Sequence, residues 1–347
     1  MKKNRSWISV VCILVLAMAI FSGCGGGASD NGGDDADKVY TLRLAGMSSL
    51  EAPDTIAMQN AADAIYEATD GHVEITVYPA SQLGDYTQVY EEVMRGTIDM
   101  ACTTIPGTYD SRVEMCYVPF LVTNYDEYGK VYSEGSFFYQ KYNEMQNDVG
   151  IELLGFVPAG FIGIGAKSLD TSNLFDFSVN RKELIRVPGL ESMKMLVEYA
   201  GFNTTTIPYA DLYSALQTGI ADGWYGGGAL LNYDAFRDVI KYYVDYNFLN
   251  DVYPVIMNKD TLSGLPEDYQ KIVYDTFEEA CLDAAANIEA SDAQALKDME
   301  AYGITVIIPT QEERDAMAKD VRTNLWPKLS QFYGEDIMSG LLEDAGL

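Results

Sequence analysis

The sequence predicts an α/β protein of two lobes, and three observations carry that reading. Residues 39–104 alternate strand, helix, strand, helix, strand. A looser echo of that order surrounds Pro208 and Gly219. The chain has 347 residues, about two domains' worth, and its 48% hydrophobic and 12% aromatic content can fill cores of that size.

The chain opens on an address. Lys2, Lys3 and Arg5 precede an apolar run from Trp7 to Phe21, which ends at Ser22-Gly23-Cys24. A basic start, an apolar middle and small residues before a break describe an export signal over residues 1–23. A Cys directly after the break resembles a bacterial lipoprotein signal, in which Cys24 is acylated and becomes the new N-terminus; Phe21 departs from the Leu commoner at its position. Residues 25–37 read GGGASDNGGDDAD. Such a segment cannot pack, so with Cys24 it forms a tether (24–37) reaching roughly 20 Å. The expected location is outside the cytoplasm, anchored to a membrane through the N-terminal lipid.

The body follows. Tyr40, Leu42 and Leu44 alternate with Thr41 and Arg43 as in a strand. Residues 52–68 carry apolar positions at helical spacing and stop at Asp70-Gly71. Val73, Ile75 and Val77 alternate again. Tyr86, Val89, Tyr90, Val93 and Met94 mark a second helix closed by Gly96, and Ile98–Cys102 reads as a buried strand. This order implies parallel strands with right-handed crossovers. In the echo, Pro208, a helix over 210–218, Gly219 and Asp222 repeat Pro79, a helix, Gly96 and Asp99. Ligands of such sheets sit beyond the carboxyl ends of strands, which here are the loops 46–49, 103–107, 158–163, 186–189 and 223–228.

Composition removes several functions. With 23 basic and 52 acidic residues the formal charge is −29, a field that excludes nucleic-acid binding and repels anionic membrane surfaces. Five Cys and the single His72, set in a solvated turn, give no zinc or copper site. Cys102, Cys116 and Cys281 make no disulfide framework, and a 102–116 bridge stays open. No G-x-S-x-G, H-E-x-x-H or paired C-x-x-C is present. In the glycine-rich stretch 160–168, Ala166 separates Gly165 from Lys167 and breaks a phosphate loop. Neither an enzyme nor a cofactor is indicated, although a chance carboxylate pair leaves a surface hydrolase as a lesser alternative. One residue stands out. Arg186 lies in the apolar strand Leu184-Ile185-Arg186-Val187 just before Pro188-Gly189, where a guanidinium must meet an anion or water. An internal ion pair and a ligand carboxylate are both consistent with that spacing.

Several blocks then resemble one family in order. They are Thr69-Asp70-Gly71-His72-Val73-Glu74-Ile75-Thr76-Val77-Tyr78-Pro79, Gln82-Leu83-Gly84-Asp85, Arg95-Gly96-Thr97-Ile98-Asp99-Met100, Ile185-Arg186-Val187-Pro188-Gly189, Tyr213 to Gly223, and Leu265-Pro266-Glu267-Asp268. The likeness, over 39–347, is to the extracytoplasmic solute receptors of tripartite ATP-independent periplasmic (TRAP) transporters. It implies a two-lobed periplasmic-binding-protein fold, type II-like, with mixed, mostly parallel sheets, hinge crossovers and long C-terminal helices. Residues 38–158 plus 252–290 would form lobe 1, and 159–251 plus 291–347 lobe 2.

The resemblance further implies that Arg186 clamps a ligand carboxylate between the lobes, and that a permease of one small and one large membrane subunit takes the ligand with sodium coupling. Where many relatives read Gln-Glu-Asn-Pro, this chain has Trp224, Tyr225, Gly226 and Gly227, so a polar contact is lost and space is gained at Gly226. Phe161 stands where some relatives carry a second arginine, and Tyr86 where a polar group is common. Tyr209 keeps a ring found in relatives. Arg186 among Tyr86, Phe161, Tyr209 and Trp224, with hydroxyls from Thr103 or Thr104, is expected to suit a monocarboxylate with an aromatic or apolar body. A lipid-anchored sensor docking on a signalling partner is the alternative from another class.

Overall fold

Residues 38–347 are described in a computed structural model; the expected export signal (1–23), lipid-attachment Cys24 and tether (24–37) lie outside the described residues. The alternating N-terminal pattern forms β1 (Tyr40–Gly46), α1 (Pro53–Ala68), β2 (Val73–Tyr78), α2 (Tyr86–Met94) and β3 (Met100–Cys102). A 3-10 helix (Ser111–Tyr117), α3 (Tyr128–Tyr132), α4 (Phe137–Asn147) and β4 (Ile151–Phe161) follow. The chain then crosses to β5 (Ile164–Ala166), β6 (Leu184–Val187), α5 (Glu191–Tyr199), β7 (Asn203–Thr206), α6 (Tyr209–Thr218), β8 (Gly223–Tyr225), α7 (Ala229–Phe236) and β9 (Tyr242–Val244). It returns as β10 (Asn250–Asn258) and α8 (Lys259–Ser263). The rest is α9 (Glu267–Tyr302), β11 (Thr305–Ile307), α10 (Gln311–Asn324), α11 (Trp326–Tyr333) and α12 (Glu335–Ala345).

Two sheets result, one per lobe, ordered β2-β1-β3-β10-β4 and β11-β9-β5-β8-β6-β7. In the first, β2, β1 and β3 are parallel and β10 runs antiparallel between β3 and β4. In the second, β7, β6 and β8 are parallel and β5 is antiparallel to its neighbours β8 and β9. The trios match, so the sequence echo is a structural one. Asp99, one residue before β3, accepts the Arg43 backbone N–H at 2.8 Å, next to the first β1–β3 pair. Asp222, one residue before β8, accepts the Leu184 N–H at 2.9 Å, next to the first β6–β8 pair. In both lobes a carboxylate satisfies the strand donor that pairing leaves unmatched.

The lobes are joined by the β4–β5 and β9–β10 crossovers and by α9, a 36-residue helix. Val273, Phe277 and Cys281 of α9 pack in a core with α1, whereas Ala295 and Met299 pack in one with α6 and α7. Between these stretches, Asp292 is 8% exposed and accepts from the Tyr125 hydroxyl (2.5 Å), the Phe161 N–H (3.2 Å) and the Leu230 N–H (3.3 Å). One carboxylate thus ties the crossover to the start of α7. Gly160, at φ +92°, is required there, since a Cβ would lie 2.3 Å from Asp292 Oδ2.

Two sequence expectations change, and one open question is answered. The loop expected at 158–163 is strand through Phe161: a register shift opposite Asp251 and Val252 absorbs Ala159, and Pro158 is tolerated because β4 is an edge strand, so residues 159–161 and 250–251, expected in lobe 2, belong to the first sheet. Of the segment 291–347, β11 joins the second sheet and Arg314 pairs with Asp245 at 3.0 Å. However, α11 and α12 pack on the 3-10 helix, α3 and α4, and Asp344 accepts the Phe137 and Phe138 N–H groups that open α4. Cys102, Cys116 and Cys281 are buried free thiols, so the 102–116 bridge is not made. Among the described residues no helix is long and apolar enough to cross a membrane.

Replacing Asp99 or Asp222 by Ala should each cost about 1–3 kcal/mol in urea unfolding, through the unpaired Arg43 or Leu184 N–H. Losses below about 0.5 kcal/mol in both variants would deny the shared role.

Candidate functional site

The carboxyl ends of both parallel trios face a common cleft. Its outer chamber, about 770 Å³, is lined by Ser48, Asp54, Tyr209, Leu231, Asp234 and Tyr253 among others. That volume falls in the range of small-molecule sites. Inward the walls narrow to a recess of about 30 Å³ that shares Met47, Ser48, Tyr209, Leu231 and Tyr253 with the chamber. The first lobe lends the recess Met47, Ser48, Tyr86, Thr104, Asp251 and Tyr253. The second lobe lends Arg186, Pro188, Leu190, Met193, Tyr209, Gly226 and Leu231.

Arg186 projects from β6 and is 2% exposed. Its Nε donates to the Ile207 carbonyl at 2.8 Å, which fixes the plane of the guanidinium. Among the described residues no carboxylate forms an ion pair with it. Burial lowers its pKa to about 10, against which Tyr86, Tyr209 and Asp85 hold the charge. It therefore stays protonated at neutral pH, desolvated, with its terminal nitrogens uncompensated. Gly226, at φ +135°, leaves that face open: a Cβ would stand 3.5 Å from Nη1.

The expected site residues separate into two groups. Arg186, Tyr86, Tyr209, Thr104 and Gly226 come together on the recess. Tyr86 opens α2 and reaches the Gly189 backbone across the cleft, and Tyr209 opens α6. Thr103 is set one layer back beside Met47 and Tyr86, its buried hydroxyl without a partner. Phe161 and Trp224 line neither chamber nor recess. The Phe161 ring packs edge-on against Tyr125 at 4.9 Å. Trp224 is fully buried against Phe236 at 4.5 Å and backs the Arg186 wall from within the core. Both expectations took an aromatic at a strand's carboxyl end to be exposed, whereas Tyr125 and α7 cover these two.

Two buried acids were missed. Asp251 on β10 is 3% exposed, and burial pushes its pKa up to about 8; the Tyr253 hydroxyl opposes that rise and the charge of Asp54 adds to it. Asp54, in the first turn of α1, is 7% exposed and is likewise raised by burial, with Ser48 opposing. The signal for Asp251 was the one used for Arg186, a charge inside an apolar strand. Among the described residues no group of His, Cys, Asp and Glu could hold a metal ion.

A two-lobed α/β body with a buried, unpaired cation at the interlobe cleft defines a solute-binding protein. The chain belongs to the bacterial extracellular solute-binding protein family 7, matched over residues 45–331, the TRAP receptor family its sequence blocks resemble. It is similar to the ectoine/5-hydroxyectoine-binding periplasmic protein of Ruegeria pomeroyi, 24% identical over 78% of this chain and 79% of the relative. It is similar to the C4-dicarboxylate-binding periplasmic protein of Rhodobacter capsulatus, 24% identical over 85% and 88%. The same fold occurs in a TRAP periplasmic solute-binding protein of Desulfovibrio salexigens solved with orotic acid (TM-score 0.79, 24% identity, 88% and 99% covered). It recurs in a sugar acid binding protein of Advenella mimigardefordensis solved with galactonate (TM-score 0.81, 18% identity, 89% and 98% covered).

Asp251 and Asp292, the latter at about 6, hold protons more tightly folded than unfolded. Their stabilising contribution is complete below about pH 4 and is lost as pH rises through about 6 and then 8. The Tm of the ligand-free protein should fall over that window, and Asp251→Asn should flatten the part from pH 6 to 8. An identical slope in the variant would refute the assignment.

Proposed function

We propose that the protein captures a small organic acid outside the cytoplasm and hands it to a sodium-coupled TRAP permease of small and large membrane subunits, with Arg186 gripping the carboxylate. The observation that carries this reading is a 2%-exposed guanidinium with no acid partner, facing a cleft between two lobes. A buried cation of that kind is costly until an anion meets it. The carboxylate then gains charge-assisted hydrogen bonds from a fork already oriented by Ile207. Contacts from both lobes favour the shut form over the open one, and only such differential affinity shifts that balance.

A single carboxylate is the reading the recess supports. Arg186 is its one guanidinium, and Asp251, whose proton burial holds up to about pH 8, offers a second carboxylate no counter-charge there. Tyr86, Tyr209, Tyr253, Leu190, Leu231 and Met193 surround it, which suits a flat or apolar body. Anchoring through an acylated Cys24 belongs to the same proposal and keeps the receptor within tether reach of its permease.

Mass spectrometry of ligand recovered from the purified protein should find an intact organic acid. In calorimetry with that acid, Arg186→Ala should bind about thirty-fold more weakly or worse while keeping its folded far-ultraviolet spectrum. Near-native affinity in the variant would remove Arg186 as the anchor.

A further inference from the structure

The wall opposite Arg186 has the wrong sign for a receptor of plain anions. Along chamber and recess, Glu51, Asp54, Asp234 and Asp251 stand against Arg186 and Arg237. Arg237 donates to the Tyr233 and Asp234 carbonyls and stacks on the Tyr233 ring at 5.1 Å. Neither Asp54 nor Asp251 forms an ion pair among the described residues.

The two acids differ in how far the fold explains them. Asp54 sits in the first turn of α1, where a carboxylate complements the helix dipole. Asp251 has the Tyr253 hydroxyl and the Val252 backbone as partners but neither a helix dipole nor a cation. It lies inside β10, within a run of buried residues, with Gly160 as its strand neighbour. An acid buried without a cation keeps its proton until one arrives, and this one is more than nine-tenths buried at the edge of open volume. Arg186, equally buried, has terminal nitrogens without partners on the same recess. The recess thus has a positive pole from the second lobe and an acidic pole from the first, which gives up its proton when a cation meets it, and the two are not bonded to each other.

We propose that the ligand is a small zwitterion whose carboxylate meets Arg186 and whose ammonium or other basic nitrogen lies against Asp251, with Asp54 adding negative charge from the chamber. This rests on the reading of Arg186 as carboxylate anchor and adds a cationic subsite to it. Each pole of the ligand then answers a pole of the recess, and drawing both in requires both lobes. A carboxylate lacking the nitrogen would leave Asp251 protonated and unused, and an amine lacking the carboxylate would leave Arg186 uncompensated.

The test uses the exported chain, its bound ligand removed by unfolding and refolding. Thermal shift and calorimetry compare the twenty proteinogenic L-amino acids and glycine betaine with matched acids lacking the nitrogen, such as 4-methylpentanoate for leucine and 3-phenylpropanoate for phenylalanine. At least one nitrogen-bearing acid should raise the Tm and bind at least about tenfold more tightly than its matched acid. Asp251→Asn should erase that preference by weakening the nitrogen-bearing acid while sparing its counterpart. The proposal fails if the matched acids bind as well, if Asp251→Asn leaves the preference intact, or if no nitrogen-bearing probe binds. Failure of the Arg186 reading looks different, because Arg186→Lys would then bind every carboxylate as the parent does.

Discussion

A guanidinium taken out of water without a counter-ion is the constraint on which the molecule turns. Isolated, it would favour leaving the interior, and the fold prevents that. Strand β6 holds its Cα, the Ile207 carbonyl holds its Nε, and Gly226 keeps side chains off its outer face. The fold therefore keeps a cation in readiness. From the other lobe Asp251 borders the same recess and Asp54 the chamber outside it, and neither closes an ion pair with the guanidinium.

The hinge explains how such an arrangement can open and shut. Helix α9 serves both cores, and Asp292 bonds at once to the crossover at Phe161, to Leu230 at the start of α7 and to Tyr125. These are local tethers at a pivot, so a rotation between lobes need not break a sheet. On the other flank, Glu114 of the 3-10 helix accepts from both the N–H and the hydroxyl of Ser192 at the start of α5. That contact lies between elements of different lobes.

Much of this was legible in the residues, for reasons that can be named. Period-two and helical spacing located β1, α1, β2, α2 and β3 because each has one buried face. The Asp99 and Asp222 echo was visible because the two carboxylates perform the same backbone service. Arg186 was visible because a charge in an apolar strand needs a partner. Phe161 and Trp224 were misplaced because a ring at a strand's end says nothing about what covers it, and Tyr125 and Phe236 come from distant sequence. The division of 291–347 escaped because Asp344 caps α4 from some two hundred residues away. Asp251 could have been found by the rule that found Arg186.

The three free thiols have a consequence of their own. Cys102, Cys116 and Cys281 are all enclosed, and burial raises their pKa, so the reactive thiolate is scarce in the native state. An alkylating reagent reaches them only when the surrounding core parts. The speed of labelling therefore counts how often the first lobe breathes, giving the protein an internal clock for its own excursions from order.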